Sequence, residues 1–184
     1  MTLTAENARR TLEAADLIVP AAEVSQAVSR LAREISDRLG NEFPLVLCVM
    51  RGGMIFAGQL LPQLRFPLEV DYLEVTRYGT ATQGGEIEWK VTPGTAVKRR
   101  VVLVLDDILD EGNTLAAIRD RVKAAGAIAF YSAVFAEKDT GKTKPVKADF
   151  VGVHVPDRYV FGFGMDVRGA WRNLPEIYAI REQP

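Results

Sequence analysis

Val101-Val102-Leu103-Val104-Leu105 is an unbroken run of branched apolar residues, and with the acidic segment after it this run limits the possible folds more than any other stretch. A run without a polar position has no face to give to water, so it reads as a strand buried on both sides. Asp106, Asp107, Asp110, Glu111 and Gly112 come next, and then Leu115, Ile118, Val122 and Ala125 recur at helical spacing until Gly126 closes the pattern. The same grammar occurs earlier. Leu45-Val46-Leu47-Cys48-Val49-Met50 is fully apolar, Arg51-Gly52-Gly53 makes a turn, and residues 54–64 continue as a helix. Before it, Val24, Ala27, Val28, Leu31, Ala32, Ile35 and Leu39 predict an amphipathic helix over 21–39, begun by Pro20 and stopped by Gly40. Further strands are expected at 68–76, 128–136 and 149–155. Continuous apolar strands alternating with helices predict an α/β fold, a mostly parallel sheet flanked by helices on both faces.

A chain of 184 residues, 48% hydrophobic, builds one substantial core, so a single domain over 1–184 is expected. Its 23 Lys and Arg against 24 Asp and Glu leave a net charge of −1, without the bulk positive field that gathers nucleic acid or acidic membrane. No apolar run approaches bilayer length, and the polar N-terminus lacks the apolar core of a leader. The single cysteine, Cys48, sits within an apolar run, as a buried reduced thiol would, and suits a reducing cytoplasm. Between Thr76 and Lys98 the apolar runs give way to Gly, Thr and charge, apart from the strand-like Ile87-Glu88-Trp89-Lys90-Val91. A stretch of that length is expected to serve as a lid.

The acidic turn lies at the carboxyl end of a buried strand, where open α/β sheets bind their ligands. A loop entering a helix offers unpaired N–H groups and the positive end of the helix dipole, and Gly112 lets a phosphate come close. Asn113 and Thr114 add side-chain donors. Two adjacent carboxylates would repel a bare phosphate, so Asp106 and Asp107 need another ligand. Ribose hydroxyls with a hydrated Mg²⁺ satisfy them, and a sugar phosphate carrying a metal fits both halves. A helix cap explains Asp110 alone, but not three carboxylates, a glycine and two hydrogen-bonding residues crowded after one strand. No Gly-x4-Gly-Lys-Ser/Thr segment occurs, which removes the competing P-loop.

At these residues the chain resembles the type I phosphoribosyltransferases, whose signature is an apolar strand, two acidic residues, two apolar residues, Asp, a small hydroxyl residue, Gly, a variable position and Thr. Glu111 departs from it, standing where Thr or Ser is usual. The rest of the chain, from about residue 15, is similar to the hypoxanthine/guanine branch. Met50-Arg51-Gly52-Gly53 matches the pyrophosphate loop, with Arg for the commoner Lys, and family members often hold the peptide before the basic residue cis. Thr76-Arg77-Tyr78-Gly79 falls where the family opens its lid with Ser-Tyr-Gly, and Tyr78 carries that match. Lys138, after the apolar strand, matches the lysine that donates to the exocyclic oxygen of a 6-oxopurine. In the C-terminal run Tyr159 matches the aromatic that stacks on the base, Val160 the backbone that reads its edge, and Asp166 a Mg²⁺ ligand. Arg172 matches an arginine on the diphosphate. His154 alternates within a strand and reads as structural.

The resemblance implies a purine salvage enzyme that transfers the ribose phosphate of phosphoribosyl pyrophosphate to hypoxanthine or guanine, making IMP or GMP and releasing diphosphate. It implies Mg²⁺ held by Asp106, Asp107 and Asp166, and Asp110 as general base. Glu111, Gly112, Asn113 and Thr114 would complete the donor site, and Arg51, Gly52, Tyr78 and Arg172 the diphosphate site. It also implies a small hood, from N-terminal residues plus about 155–184, a flexible lid over about 77–98, and a homodimer or homotetramer. A xanthine-preferring transferase and a non-catalytic sensor of the same donor are the rival readings.

Overall fold

A computed structural model describes residues 4–78 and 86–181, without the side chains of Arg77, Tyr78 and Glu86. In chain order the elements are α1 (Ala5–Glu13), β1 (Asp16–Val19), α2 (Ala21–Leu39), β2 (Leu45–Met50), α3 (Gly53–Leu60), β3 (Glu69–Tyr78), β4 (Glu86–Val91), β5 (Val101–Leu109), α4 (Asn113–Ala124), β6 (Ala129–Asp139), β7 (Phe150–Pro156), β8 (Val160–Phe161) and β9 (Ile177–Ala179). A six-stranded sheet runs in the order β4-β3-β2-β5-β6-β7. Its strands are parallel except β4, which returns antiparallel along β3. The expected α/β architecture, a mostly parallel sheet with helices on both faces, is therefore the one found.

The two apolar runs occupy the middle of this sheet, side by side, with Leu45 opposite Val102 and Cys48 opposite Leu105. Alternation along each strand splits the core in two. Val46, Cys48, Leu103 and Leu105 pack under α2 and α3, whereas Leu45, Leu47, Val102 and Val104 pack under α4. Each fully buried Leu or Val adds about 1.5–3 kcal/mol relative to exposure, so an unpaired polar substitution at these positions would be costly on either face. All seven apolar positions of the 21–39 pattern are buried on α2.

Several boundaries differ from the sequence expectation. Strand β5 continues through both aspartates to Leu109, because β6 keeps pairing with it as far as Leu109 opposite Glu137. Asp106 and Asp107 therefore belong to a strand, and only residues 110–112 form the turn. Strand β6 likewise runs on to Asp139, so Lys138 lies within it and not after it. The helix expected over 54–64 is α3 followed by a 3-10 turn, Leu61–Gln63, with Pro62 in its first turn. Ile87 to Val91 is paired into the sheet as β4, while residues 79–85 of the expected lid lie outside the described residues.

A second, three-stranded antiparallel sheet, in the order β1-β9-β8, joins the start of the chain to its end. Asp16 holds it together by accepting from Arg158 (2.7 Å) and Arg181 (3.0 Å), and the Trp171 indole donates to the Ala8 carbonyl at 2.8 Å.

Candidate active site

The carboxyl ends of β2, β5 and β6 meet the loops around the small sheet, and the predicted residues gather there. The turn after β2 carries a cis peptide between Met50 and Arg51. Gly52 is buried against β5, where a Cβ would lie 1.9 Å from Asp107 Oδ2. The carbonyl of Gly52 is covered from the other side by Gly164, whose φ of +104° and lack of a Cβ allow the approach. Arg51 points outward, 73% exposed, with its Nε 3.8 Å from Glu74.

At the end of β5, Asp106 is buried and accepts from the Asp107 amide at 2.9 Å. Burial raises the Asp106 pKa well above the usual carboxylate value, and the adjacent Asp107 charge adds to the effect. Burial raises Asp107 as well, opposed by the Asp106 hydrogen bond and the Arg172 charge. Gly112 turns the chain into α4 with φ +84°, a left-handed conformation that favours glycine. The amides of Asn113 and Thr114 open that helix, and no side chain caps its N-terminus. Asn113 donates to Glu111 at 3.3 Å. Met50 to Gly52, Asp106, Asp107, the 110–115 segment and Arg172 together line a cavity of ≈ 280 Å³.

A neighbouring cavity of ≈ 230 Å³ shares Asp107, Ile108 and Asp110 with the first and is completed by Lys138, Tyr159, Val160, Met165 and Asp166. Lys138 Nζ stands 2.7 Å from Asp110 Oδ2. Tyr159 is half exposed, and its hydroxyl donates to the Asp166 carbonyl at 3.1 Å. Arg172 lines the first cavity and reaches Asp166 of the second. It donates to the Gly164 carbonyl at 2.7 Å, pairs with Asp166, and lies 3.9 Å from Asp107.

All the predicted site residues except Tyr78, whose side chain lies outside the described residues, thus stand around these two cavities. Asp106, Asp107 and Asp166 do not converge as a cage: among the described residues no group of three metal-ligating side chains occurs. Asp107 and Asp166 both reach Arg172, and a divalent cation such as Mg²⁺, which keeps several waters and takes one or two protein carboxylates, would not need a cage of three. Sequence reasoning missed Ile108 and Met165, which wall the second cavity, and Gly164. Only the Gly-x-Gly spacing at 162–164 carried a signal for the last.

Residues 15–168 match the phosphoribosyl transferase domain family. The chain is 31% identical to the hypoxanthine-guanine phosphoribosyltransferase of Bacillus subtilis, over 90% of this chain and 92% of that protein. It is 32% identical to a bifunctional protein TilS/HprT of Listeria monocytogenes over 88% of this chain, which corresponds to 25% of that longer protein. The fold superposes on a crystal structure of a hypoxanthine phosphoribosyltransferase from Staphylococcus aureus with a TM-score of 0.85 at 22% identity, covering 90% of this chain and 91% of the other. With a family model matched over 15–168 and a curated relative 31% identical along nearly its whole length, the chain belongs to the phosphoribosyltransferases, in their hypoxanthine-guanine branch.

Proposed function

We propose that the chain transfers the ribose 5-phosphate of phosphoribosyl pyrophosphate to a 6-oxopurine, hypoxanthine or guanine, releasing diphosphate in purine salvage. One observation carries the reading: an ammonium and a carboxylate, Lys138 and Asp110, stand 2.7 Å apart at the mouth of the second cavity. A 6-oxopurine presents an acceptor, O6, beside a donor, N7–H, and this pair complements both. Adenine places an amino group where the oxygen would be, which leaves the ammonium facing a donor.

In the proposed complex the amides of 112–114 and the Thr114 hydroxyl receive the 5′-phosphate at the start of α4. Glu111 shapes that turn. Asp106 and Asp107 accept from the ribose hydroxyls, and Gly52, Arg51 and Arg172 face the diphosphate, with Tyr78 contributed by the lid. Asp107 and Asp166 would hold Mg²⁺, with Asp106 behind them, and the ion supplies charge neutralisation for the departing diphosphate. Tyr159 stacks on the purine and the Val160 backbone reads its edge. As the C1–diphosphate bond breaks, the sugar becomes oxocarbenium-like, N9 attacks the opposite face, and Asp110 takes the N7 proton. Closure of the lid over about 77–98 and cover by the small sheet, serving as a hood on one domain, exclude water from the activated sugar.

The protein is proposed to work in the cytoplasm as a homodimer or homotetramer. Among the described residues no helix is long and apolar enough to cross a membrane. Val70 and Tyr72 of β3 and Met54 of α3 expose large apolar side chains that suit a subunit contact. Incubation with Mg²⁺, phosphoribosyl pyrophosphate and each of hypoxanthine, guanine, xanthine and adenine tests the reading. Nucleotide is expected from hypoxanthine or guanine. A strong preference for xanthine would move the chain to another branch, and donor binding without any nucleotide would make it a sensor.

A further inference from the structure

Lys144 lies in the connection between β6 and β7, outside every group assigned above, with only 10% of its side chain exposed. Its Nζ donates to the Lys138 carbonyl (2.8 Å), the Leu109 carbonyl (3.0 Å) and Glu137 Oε1 (3.1 Å). An ammonium has three protons, and these acceptors use all of them. Burying such a charge is costly unless it is paired and fully hydrogen-bonded, so this geometry holds the head group in one place. Lys142 and Lys147, on the same connection, are exposed.

The acceptors are not scattered. Leu109 ends β5 and immediately precedes Asp110, and the Lys138 carbonyl belongs to the residue whose side chain meets Asp110. The β5–β6 ladder stops at Leu109 opposite Glu137, so sheet hydrogen bonds no longer join the two strands beyond it. Lys144 supplies the tie at the point where the ladder ends. The same connection also backs the turn before α4: a Cβ on Gly112 would meet Pro145 Cδ at 3.3 Å and Val146 Cγ1 at 3.4 Å. Arg119 of α4 donates to the Pro145 carbonyl at 3.2 Å.

We infer that Lys144 is a positioning residue for base transfer: its ammonium joins the backbone beneath Asp110 to the backbone of Lys138, so that carboxylate and ammonium meet the purine as a matched pair. The inference rests on the roles proposed above for Asp110 and Lys138. Lys144 touches neither substrate and acts through those two residues.

Steady-state kinetics of Lys144→Met, whose side chain keeps much of the length and loses every donor, test it. Misplacement of reacting groups by about 1 Å costs on the order of 100-fold, so kcat/KM for hypoxanthine is expected to fall by about 10- to 100-fold. The Kd for Mg²⁺-phosphoribosyl pyrophosphate, measured by calorimetry, stays within about threefold, because the anion contacts are on other residues. Lys144→Arg, which can donate to the same carbonyls, recovers most of the loss, and Lys147→Met leaves all parameters unchanged. If Lys144→Met fails to fold, Lys144→Gln is measured in the same way, with the same split between base and donor expected. A folded variant with a lower Tm but unchanged kcat/KM overturns the inference, since Lys144 would then serve the fold alone. An equal loss of donor affinity overturns it too. Absence of turnover in the unsubstituted protein sinks the functional reading instead, which keeps the two failures distinct.

Discussion

Gly52→Ala is the sharpest test of how this site is built. The backbone does not require glycine there: φ −62° and ψ −50° are helical, and Ala at such a position ordinarily stabilises a protein by about 0.4–1 kcal/mol through the unfolded chain. What the position requires is empty space. A Cβ would sit 1.9 Å from Asp107 Oδ2 and 2.3 Å from its Cγ, whereas ordinary contact begins at 3.4 Å, so the carboxylate must retreat by about 1.5 Å. It has little room to do so. The Asp107 side chain is 13% exposed, and Gly164 closes the opposite side, with its own Cβ position 3.2 Å from Asp107 Cβ. The carboxylate must therefore leave its present place, 3.9 Å from Arg172. A displacement of that size is expected to lower kcat/KM for phosphoribosyl pyrophosphate by about 100-fold, near 2.7 kcal/mol of transition-state stabilisation. The repacking cost, about 1–3 kcal/mol, should leave the protein folded in a thermal melt. Gly58→Ala is the control. It lies in α3, the helix that Gly52 precedes, with nothing within 4 Å of its Cβ, and is expected to raise stability by about 0.5–1 kcal/mol without a kinetic effect. A folded Gly52→Ala protein that keeps kcat/KM within about threefold would refute both the steric argument and the role given to Asp107.

Asp110→Asn is expected to lower kcat by about 10²- to 10⁴-fold with little change in substrate Kd, and an unchanged kcat would remove Asp110 from proton transfer. Arg158 and Arg181 hold the Asp16 carboxyl below its usual pKa, so its contribution to stability is present above the unfolded-state pKa and lost as pH falls through the lower folded value. Melting curves of wild type and Asp16→Asn should therefore separate at neutral pH and converge in acid; a gap independent of pH would contradict the ion pairing. Burial, reinforced by the Asp106 and Asp107 charges, pushes the Cys48 thiol up to about 12, so iodoacetamide at pH 8 should label it only after denaturation. Equal labelling rates in native and denatured protein would show that the strand is open.

The two apolar runs, the α2 stripe and the acidic turn were legible because each is a local pattern whose period or residue chemistry admits few conformations. The element ends were less so. Nothing local shows that β5 continues through Asp106 and Asp107, since two carboxylates ordinarily signal solvent. Pairing with β6 carries the strand onward, buries Asp106 and leaves Asp107 only partly accessible. Strands β1, β8 and β9 went unpredicted because they are only 4, 2 and 3 residues long, and because β1 and β9 pair across the whole length of the chain. Lys144 had no signal at all. It is one of three lysines within six residues, and only the carbonyls at the ends of β5 and β6 single it out.

Local pattern is enough to require a buried strand that opens into a helix through clustered carboxylates and a glycine, since apolar periodicity and residue chemistry act over neighbouring positions. Long-range packing is what brings Lys138 to 2.7 Å from Asp110, sets Arg172 between Asp107 and Asp166, and lets Gly52 and Gly164 leave room for the Asp107 carboxylate. Lys138 and Asp110 are 28 positions apart along the chain, and Gly52 and Gly164 are more distant still. They meet because parallel strands bring remote segments to one end of the sheet, and that placement depends on how the whole core packs.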